Sequence, residues 1–293
     1  MLAPAQRLSA FVEWPSEPLH VGDTPVYVDF ATSVLDRDRL LAGGAASEID
    51  RGHGALAALR RNLRRITNPD GGTRRNLDVF LDRLRARHTR PTVLVVGGGE
   101  IGNGADRLYS DPGVEVLAFD IYASPHVQFV ADGHRIPFAD GVVHGVVVQA
   151  VLEHVLDPAT VVAEIHRVLV PGGLVYAETP FLQQVHEGPY DFARFTESGH
   201  RWLFRGFDRI GSGVVGGPGV QLIWTIGAVV TGLTRSRAAG RAVRLALFWL
   251  RLLDRVIPEP FQSDGASGVW FLGARSDTPL PASAMPGEYR GAQ

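Results

Sequence analysis

The 293-residue sequence contains no cysteine. Disulfides, thiolate metal centres and a cysteine nucleophile are therefore excluded, and a reducing cytoplasm is the simplest home. Lysine is absent as well, since all 29 basic residues are arginine. That removes a Schiff-base lysine and the lysine of a Walker-type phosphate loop. Excess charge is also missing. The formal net charge of −2 gives no reason to expect a nucleic-acid partner. The opening stretch MLAPAQRLSAFVEW has no basic start followed by an apolar core, so no signal peptide is expected. The uncharged run 211–233 is broken by Gly216, Gly217, Pro218 and Gly219. What remains of it is too short for a bilayer, which takes roughly 20 apolar residues.

What is present reads as a globular protein, with 45% hydrophobic and 20% charged residues. Up to about residue 50 the chain is irregular, punctuated by Pro15, Pro18 and Pro25, with room for a strand or two. The pattern GALAALRRNLRR over 54–65 predicts a helix ending in a basic cluster, whose likeliest use is as a solvated face. A loop around Asn68 to Gly72 precedes a second helix with Leu77, Phe80, Leu81 and Leu84 on one face.

From Pro91 strands and helices alternate. Strands are expected over 92–96, at VEVLAFD ending on Asp120, at VQFVAD ending on Asp132, around 145–149, and at LVYAETP after the turn Pro171, Gly172, Gly173. Helices fall at 105–109 and 158–169, the second with Val161, Val162, Ile165 and Val168 inward. Such βαβ alternation implies an α/β fold with a doubly wound, mostly parallel sheet, whose ligands sit at the carboxyl ends of the strands. Further on come a strand at 207–210, apolar helices at 220–233 and 242–256, and a late strand at 269–275. The expected layout is an N-terminal irregular and helical appendage (1–88), a main domain (89–275) with 218–257 as inserted helices, and a disordered tail (276–293).

The stretch with most chemistry is TVLVVGGGEIGNG, residues 92–104. Gly97, Gly99 and Gly102 satisfy GxGxxG, and Asp120 follows about twenty residues on, where an acid accepts ribose hydroxyls. Taken alone this fits a dinucleotide as well as other adenosine cofactors. The segments ADGHRIPF, QAVLEHVLDP and RVLVPGGLVYAETP, in that order downstream, decide between them. At these residues the chain resembles the class I S-adenosylmethionine-dependent methyltransferases, in particular the broad group with UbiE-like and small-molecule enzymes, over roughly residues 91–210.

The resemblance implies a Rossmann-like domain and S-adenosyl-L-methionine as cofactor. Gly97, Gly98 and Gly99 would pass under its methionine and ribose, with Asp120 holding the ribose and Ile121 beside it. Asp132 and Gly133 would flank the adenine, and Gln149 the methionine end. Many members carry an acid two residues before the first glycine, where this chain has Val95; Glu100 or a water would replace its contact with the amino group. The implied reaction is in-line methyl transfer to an oxygen or nitrogen of a small molecule, oxygen being favoured, as in specialised metabolism. The alternative is a nonenzymatic S-adenosylmethionine-binding or partner subunit.

Candidates for the acceptor side crowd into VHEGPYDFARF, a segment too polar for a core. His186 is the expected general base, since an imidazole titrates near neutrality, with Tyr190, Asp191 and Arg194 as substrate contacts. The competing reading has His186 and Asp191 capping a helix or pairing with Arg194. His154, in LEHVLDP, is expected at the edge of the cofactor pocket in a positioning role. His126, His134, His144, His166 and His200 show no metal-ligand spacing, so no metal is expected. The apolar helices after Pro218 suit a lid over a hydrophobic acceptor, a homodimer face or a peripheral membrane contact.

Overall fold

The computed structural model describes residues 8–42 and 72–293. The helix expected over 54–65 and its basic cluster lie outside them. One nine-stranded sheet organises the described residues. In chain order its strands are β1 (Leu19–Val21), β2 (Thr24–Tyr27), β3 (Thr92–Val96), β4 (Glu115–Asp120), β5 (Phe129–Ala131), β6 (Val143–Gln149), β7 (Leu169–Pro180), β8 (Phe207–Gly216) and β9 (Gly268–Arg275). They lie side by side as β1-β2-β5-β4-β3-β6-β7-β9-β8. Pairing is parallel from β2 through β7, while β1 and β9 run antiparallel to their neighbours. The order reverses at β3, with β4 on one side and β6 on the other, which makes the carboxyl ends of these strands a switch point where ligands bind.

All five residues of β3 are buried. Its alternate side chains belong to two different core layers, Leu94 and Val96 to one and Val93 and Val95 to the other. A strand covered on both faces has no wet side to mark with polar residues, which is why the run reads as continuous valine and leucine.

Five helices come first: α1 (Arg37–Leu41), α2 (Thr73–Arg85), α3 (Asp106–Ser110), α4 (Pro158–Val168) and α5 (Glu197–Leu203). Leu77, Phe80, Leu81 and Leu84 of α2 are buried in the same layer as Val93 and Val95. The N-terminal strands and α2 are thus joined to the main sheet and its core. Asp157 caps α4 by accepting from the N–H groups of Ala159 and Thr160, with Pro158 opening the helix where no N–H is needed. Val161, Val162, Ile165 and Val168 are buried as their spacing requires.

Pro171, Gly172 and Gly173 do not precede the strand but lie inside β7. The register slips there, Val143 facing Leu169 and Gly145 facing Leu174, and Gly172 takes a φ of +70°. Five steps along β7 face two along β6, so three extra residues loop out and the expected turn lies within the strand. β8 runs well past the expected 207–210 because β9 pairs with it along its length.

The remaining helices are α6 (Pro218–Thr234), α7 (Arg237–Ala246), α8 (Glu259–Asp264) and α9 (Met285–Glu288). The helix expected over 242–256 is broken. It ends at Ala246, and Phe248–Arg255 is a 3-10 helix. The tighter segment brings Asp254 to the start of α6, where its carboxylate accepts from the N–H groups of Gly219 (2.6 Å) and Val220 (3.2 Å). The residue preceding α6, Gly217, has no side chain for that task. Among the described residues no helix is long and apolar enough to cross a membrane.

The segment after Ser276, expected to be disordered, is ordered by ion pairs. Arg201, 5% exposed, donates to Glu288 at 2.7 Å, and Arg209 lies 3.2 Å from the same carboxylate. Arg290 reaches Glu259 at 2.8 Å and the Ser212 carbonyl at 2.9 Å. A buried guanidinium needs a carboxylate, and the C-terminal segment supplies it. Replacing Glu288 by alanine should therefore cost about 3 kcal/mol, measurable as a lower denaturant midpoint.

His200 of α5 is enclosed by Phe195, Phe204 and Phe271, and burial pushes its imidazole down to about 3 from an ordinary 6.5. The unfolded chain takes up this proton near its ordinary value while the folded chain refuses it. Stability present above 6.5 is therefore lost as the pH falls toward the folded value. At pH about 4.5 the loss from this residue reaches roughly 2–3 kcal/mol. His200→Leu should lose correspondingly less stability than the wild type between neutral and mildly acidic pH in chemical denaturation.

Candidate active site

The glycine turn directly follows β3. Gly97 has a φ of +73°, which L side chains rarely adopt, and a β-carbon there would sit 2.2 Å from Cγ2 of Val151. A β-carbon on Gly98 would meet that of Ala118 at 2.7 Å, and one on Gly99 would meet the Tyr122 hydroxyl at 2.4 Å. The three glycines are thus a bare-backbone cradle walled by β4, the chain just after it, and the end of β6.

Asp120, at the carboxyl end of β4, braces this cradle. Its Oδ2 accepts from the Gly99 N–H at 2.8 Å and its Oδ1 from the Ile121 N–H at 2.7 Å. The expected group Gly97, Gly98, Gly99, Asp120 and Ile121 is therefore assembled in one place. Glu100 stands next to it on the exposed side of the turn. Val95, at the position where an acid is usual, is 7% exposed and belongs to the core layer under α2.

Asp132 ends up beside Gly133 at the carboxyl end of β5, and both its oxygens have protein partners. Ser33 donates to Oδ2 at 2.5 Å, and His134 approaches Oδ1 through its N–H at 3.0 Å and its Nδ1 at 2.6 Å. Burial alone would raise this carboxyl, but the bonds from Ser33 and His134 outweigh it and hold it below its ordinary value. A cleft of about 400 Å³ opens beside it, lined by Ser33, His134, Leu156 and Asp157 among others.

Gln149, the last residue of β6, donates through Nε2 to Oε2 of Glu178 at 2.7 Å and to the Asn103 carbonyl at 3.1 Å. It thereby ties the second half of the glycine loop to the sheet. Glu178 is a buried anchor, since its Oε1 also accepts from Thr73 and Tyr176, each at 2.5 Å. The next residue, Ala150, has a φ of +54°, unusual outside glycine. Its N–H is held by the Glu178 carbonyl at 3.0 Å. This strained corner turns the chain out of β6 so that Val151 lands on Gly97.

Four residues beyond Gln149 the chain reaches a second cluster. Glu153 is fully buried, and neither carboxylate oxygen has a hydrogen-bond partner. Burial pushes its carboxyl up to about 8. Its Oε1 lies 3.6 Å from Nε2 of His154 and 3.7 Å from Nε2 of His186, and the two Nε2 atoms are 3.1 Å apart. The segment carrying His186 is pinned over this point because Phe192 and Ala193 donate their N–H groups to the Glu153 carbonyl at 2.7 and 3.2 Å.

Around the pair, Nδ1 of His154 faces the Tyr190 carbonyl at 2.7 Å, and Nδ1 of His186 lies 3.4 Å from Oδ2 of Asp191. Burial and the neighbouring His154 hold the His186 imidazole below its ordinary value. Asp191 makes a two-point ion pair with Arg194 and accepts the His186 N–H at 2.9 Å. Burial would raise its carboxyl, yet the Arg194 bonds and the His186 N–H bring it down to about 2. Arg194 also donates to the carbonyls of Gln183 and Ala193. His154, His186, Tyr190, Asp191 and Arg194 are thus together, with Asp191 and Arg194 committed to each other.

The residues not anticipated from sequence are Glu153, Glu178, Ser33, Tyr122 and Val151. Glu153 directly precedes a residue already singled out, so its signal was present. Ser33 meets Asp132 across 99 residues of chain, and no local pattern points to it. The expectation of no metal rested on five other histidines; the fold brings His154 and His186, 32 residues apart, close to Glu153.

Residues 96–177, from the end of β3 into β7, match the family model described as "Methyltransferase domain". No curated protein sequence matches the chain. Similar solved structures include a Haemonchus contortus phosphoethanolamine N-methyltransferase 2 in complex with S-adenosyl-L-methionine, 17% identical over 74% of this chain and 56% of that chain, with a TM-score of 0.47. A geranyl diphosphate methyltransferase in complex with the same cofactor is 15% identical over 69% of this chain and 85% of that one, with a TM-score of 0.45. The cyclase SpnF is 16% identical over 69% and 80%, with a TM-score of 0.42. Likeness at this level carries no argument about substrate or activity. The matched segment itself holds the glycine cradle, Asp120, Asp132, Gln149 and the Glu153–His154 corner, at the point where the strand order of the sheet reverses.

Proposed function

We propose that this protein transfers a methyl group from S-adenosylmethionine to an oxygen or nitrogen of a small molecule with an apolar body. The observation that carries this reading is the contact between Val151 and Gly97. It sets the cradle that would hold the cofactor against the strand end that leads directly into the histidine pair. When bound, S-adenosylmethionine supplies a methyl group already activated by its sulfonium.

The chain's own residues position, shield and deprotonate. Gly97, Gly98 and Gly99 offer backbone where a side chain would collide, and Asp120 serves the ribose while bracing Gly99. Asp132 and Gly133 mark the adenine end, and Gln149 the methionine end. His186 is the residue through which the acceptor loses its proton, with Asp191 on its far nitrogen. Holding the nucleophile in line then does much of the work.

Support for an apolar acceptor comes from α6. Gln221 donates to the Leu182 carbonyl at 2.8 Å and Gln184 to Thr225 at 3.1 Å, so this helix lies along the segment leading to His186. Leu182, Val185 and Leu222 are exposed there.

Calorimetry with S-adenosylmethionine tests the cofactor half. We expect saturable binding that Gly97→Ala weakens by at least about tenfold, since the variant meets both a forbidden φ and the Val151 methyl. Absence of binding at millimolar cofactor removes the enzyme reading. Binding without S-adenosylhomocysteine release across a panel of phenols, hydroxylated polyketides and amines favours the nonenzymatic subunit. For the acceptor half, His186→Ala should lower kcat by roughly 10²–10⁴-fold with cofactor affinity unchanged; a loss of only a few-fold across pH shows that His186 is not the proton acceptor.

A further inference from the structure

We propose that Glu153, His154 and His186 form a three-ligand site for a divalent cation of the zinc type, with a fourth position open to the acceptor. The methyl-transfer reading enters only in what the fourth position takes; the cation site stands on the geometry alone.

The first argument is spacing. Donor atoms about 2.0–2.1 Å from a tetrahedral cation stand about 3.4 Å from one another. The three donors here are separated by 3.1, 3.6 and 3.7 Å. Two imidazole nitrogens and one carboxylate oxygen are also the donor set of catalytic zinc sites, which leave one position free.

The second argument is the state of the two imidazoles. The Tyr190 carbonyl can only accept, so Nδ1 of His154 carries the hydrogen and its Nε2 presents a lone pair. Nδ1 of His186 has no hydrogen-bond partner, the nearest carboxylate oxygen, of Asp191, lying 3.4 Å away. With the hydrogen on that nitrogen, both Nε2 lone pairs face each other at 3.1 Å, and a cation between them would satisfy both. The carbonyl on the far nitrogen of His154 is a partner of the kind that orients metal-binding histidines.

The third argument is Glu153. A fully buried carboxyl group whose oxygens have no hydrogen-bond partner is costly to retain in either protonation state. It is aimed at the histidine pair, and a cation there would satisfy it. The side chains of His154 and His186 are 19% and 29% exposed, so the remaining side of the site is reached from solvent.

In the loaded protein His186 acts as a ligand, and the cation takes over the proton-removing role. An acceptor hydroxyl on the fourth position would lose its proton to water. Its oxygen would then form the new bond to carbon as the carbon–sulfur bond breaks, and the cation would keep its charge.

The test uses the full chain after chelation, titrated with Zn²⁺ by calorimetry and with Co²⁺ by visible absorption. We expect one Zn²⁺ per chain at micromolar affinity or tighter, and the intense absorption of four-coordinate cobalt. Glu153→Gln and His186→Ala, checked for fold by circular dichroism, should each weaken Zn²⁺ by more than the roughly 10–100-fold that loss of an outer-shell partner costs. The cobalt spectrum of the wild type decides even where a variant fails to fold. No saturable one-to-one binding, a weak six-coordinate cobalt spectrum, or unchanged affinity in both variants overturns the proposal, leaving a shared proton between the imidazoles. Zn²⁺ binding without any cofactor binding keeps this site and removes the methyl-transfer reading. Product formation without Zn²⁺ binding does the reverse.

Discussion

The structure turns on one steric contact, the side chain of Val151 lying where any side chain on Gly97 would have to be. The glycine turn after β3 and the exit from β6 are thereby packed directly on each other. The positive φ of Ala150 is the strain that closes this unit, and the Glu178 carbonyl holds it shut. Everything on the acceptor side inherits its position from there. Glu153 sinks into the core two residues later, His154 stays at the surface, and the segment with His186 hangs from the Glu153 carbonyl. Only a few residues, one of them Ala150 with its positive φ, separate the chain packed on the glycine turn from the histidine pair.

Two buried glutamates show how differently one residue type is used. Glu178 has donors on both oxygens, from Thr73, Tyr176 and Gln149, and serves as a fastener between α2, the sheet and the glycine loop. Burial, and after it the adjacent Glu178, push the Tyr176 hydroxyl well above its ordinary value, so that this proton stays in the network. Glu153 has no hydrogen-bond donor at all and faces two imidazoles. A satisfied buried acid stabilises a fold, whereas an unsatisfied one costs free energy where it stands.

The C-terminal third has its own internal logic. Asp254 leaves the 3-10 helix to cap α6, and Glu288 returns from the chain end to neutralise Arg201. Each supplies a charge that the local sequence lacks where it is needed. The same tertiary need explains why the segment after Ser276 is ordered despite a composition that resembles a loose tail. Its apolar content is too low for a core of its own, but its carboxylate is required by a buried arginine elsewhere.

The local pattern of the chain determined the β3 run, the amphipathic faces of α2 and α4, the positions of Asp120 and Asp132 at strand ends, and the resemblance they support. These are short-range properties, since burial of a strand on both faces or a helix on one writes itself into side chains two to four residues apart. Left to tertiary structure were the register jump in β7, the break after Ala246, the order of the C-terminal segment and the partners of Asp132 and Arg201. Above all, it decided that His154 and His186 meet over Glu153. That meeting depends on the carboxyl end of β6, a strained corner and a loop pinned by two backbone hydrogen bonds, and none of these leaves a periodic trace because the groups they join are tens of residues apart.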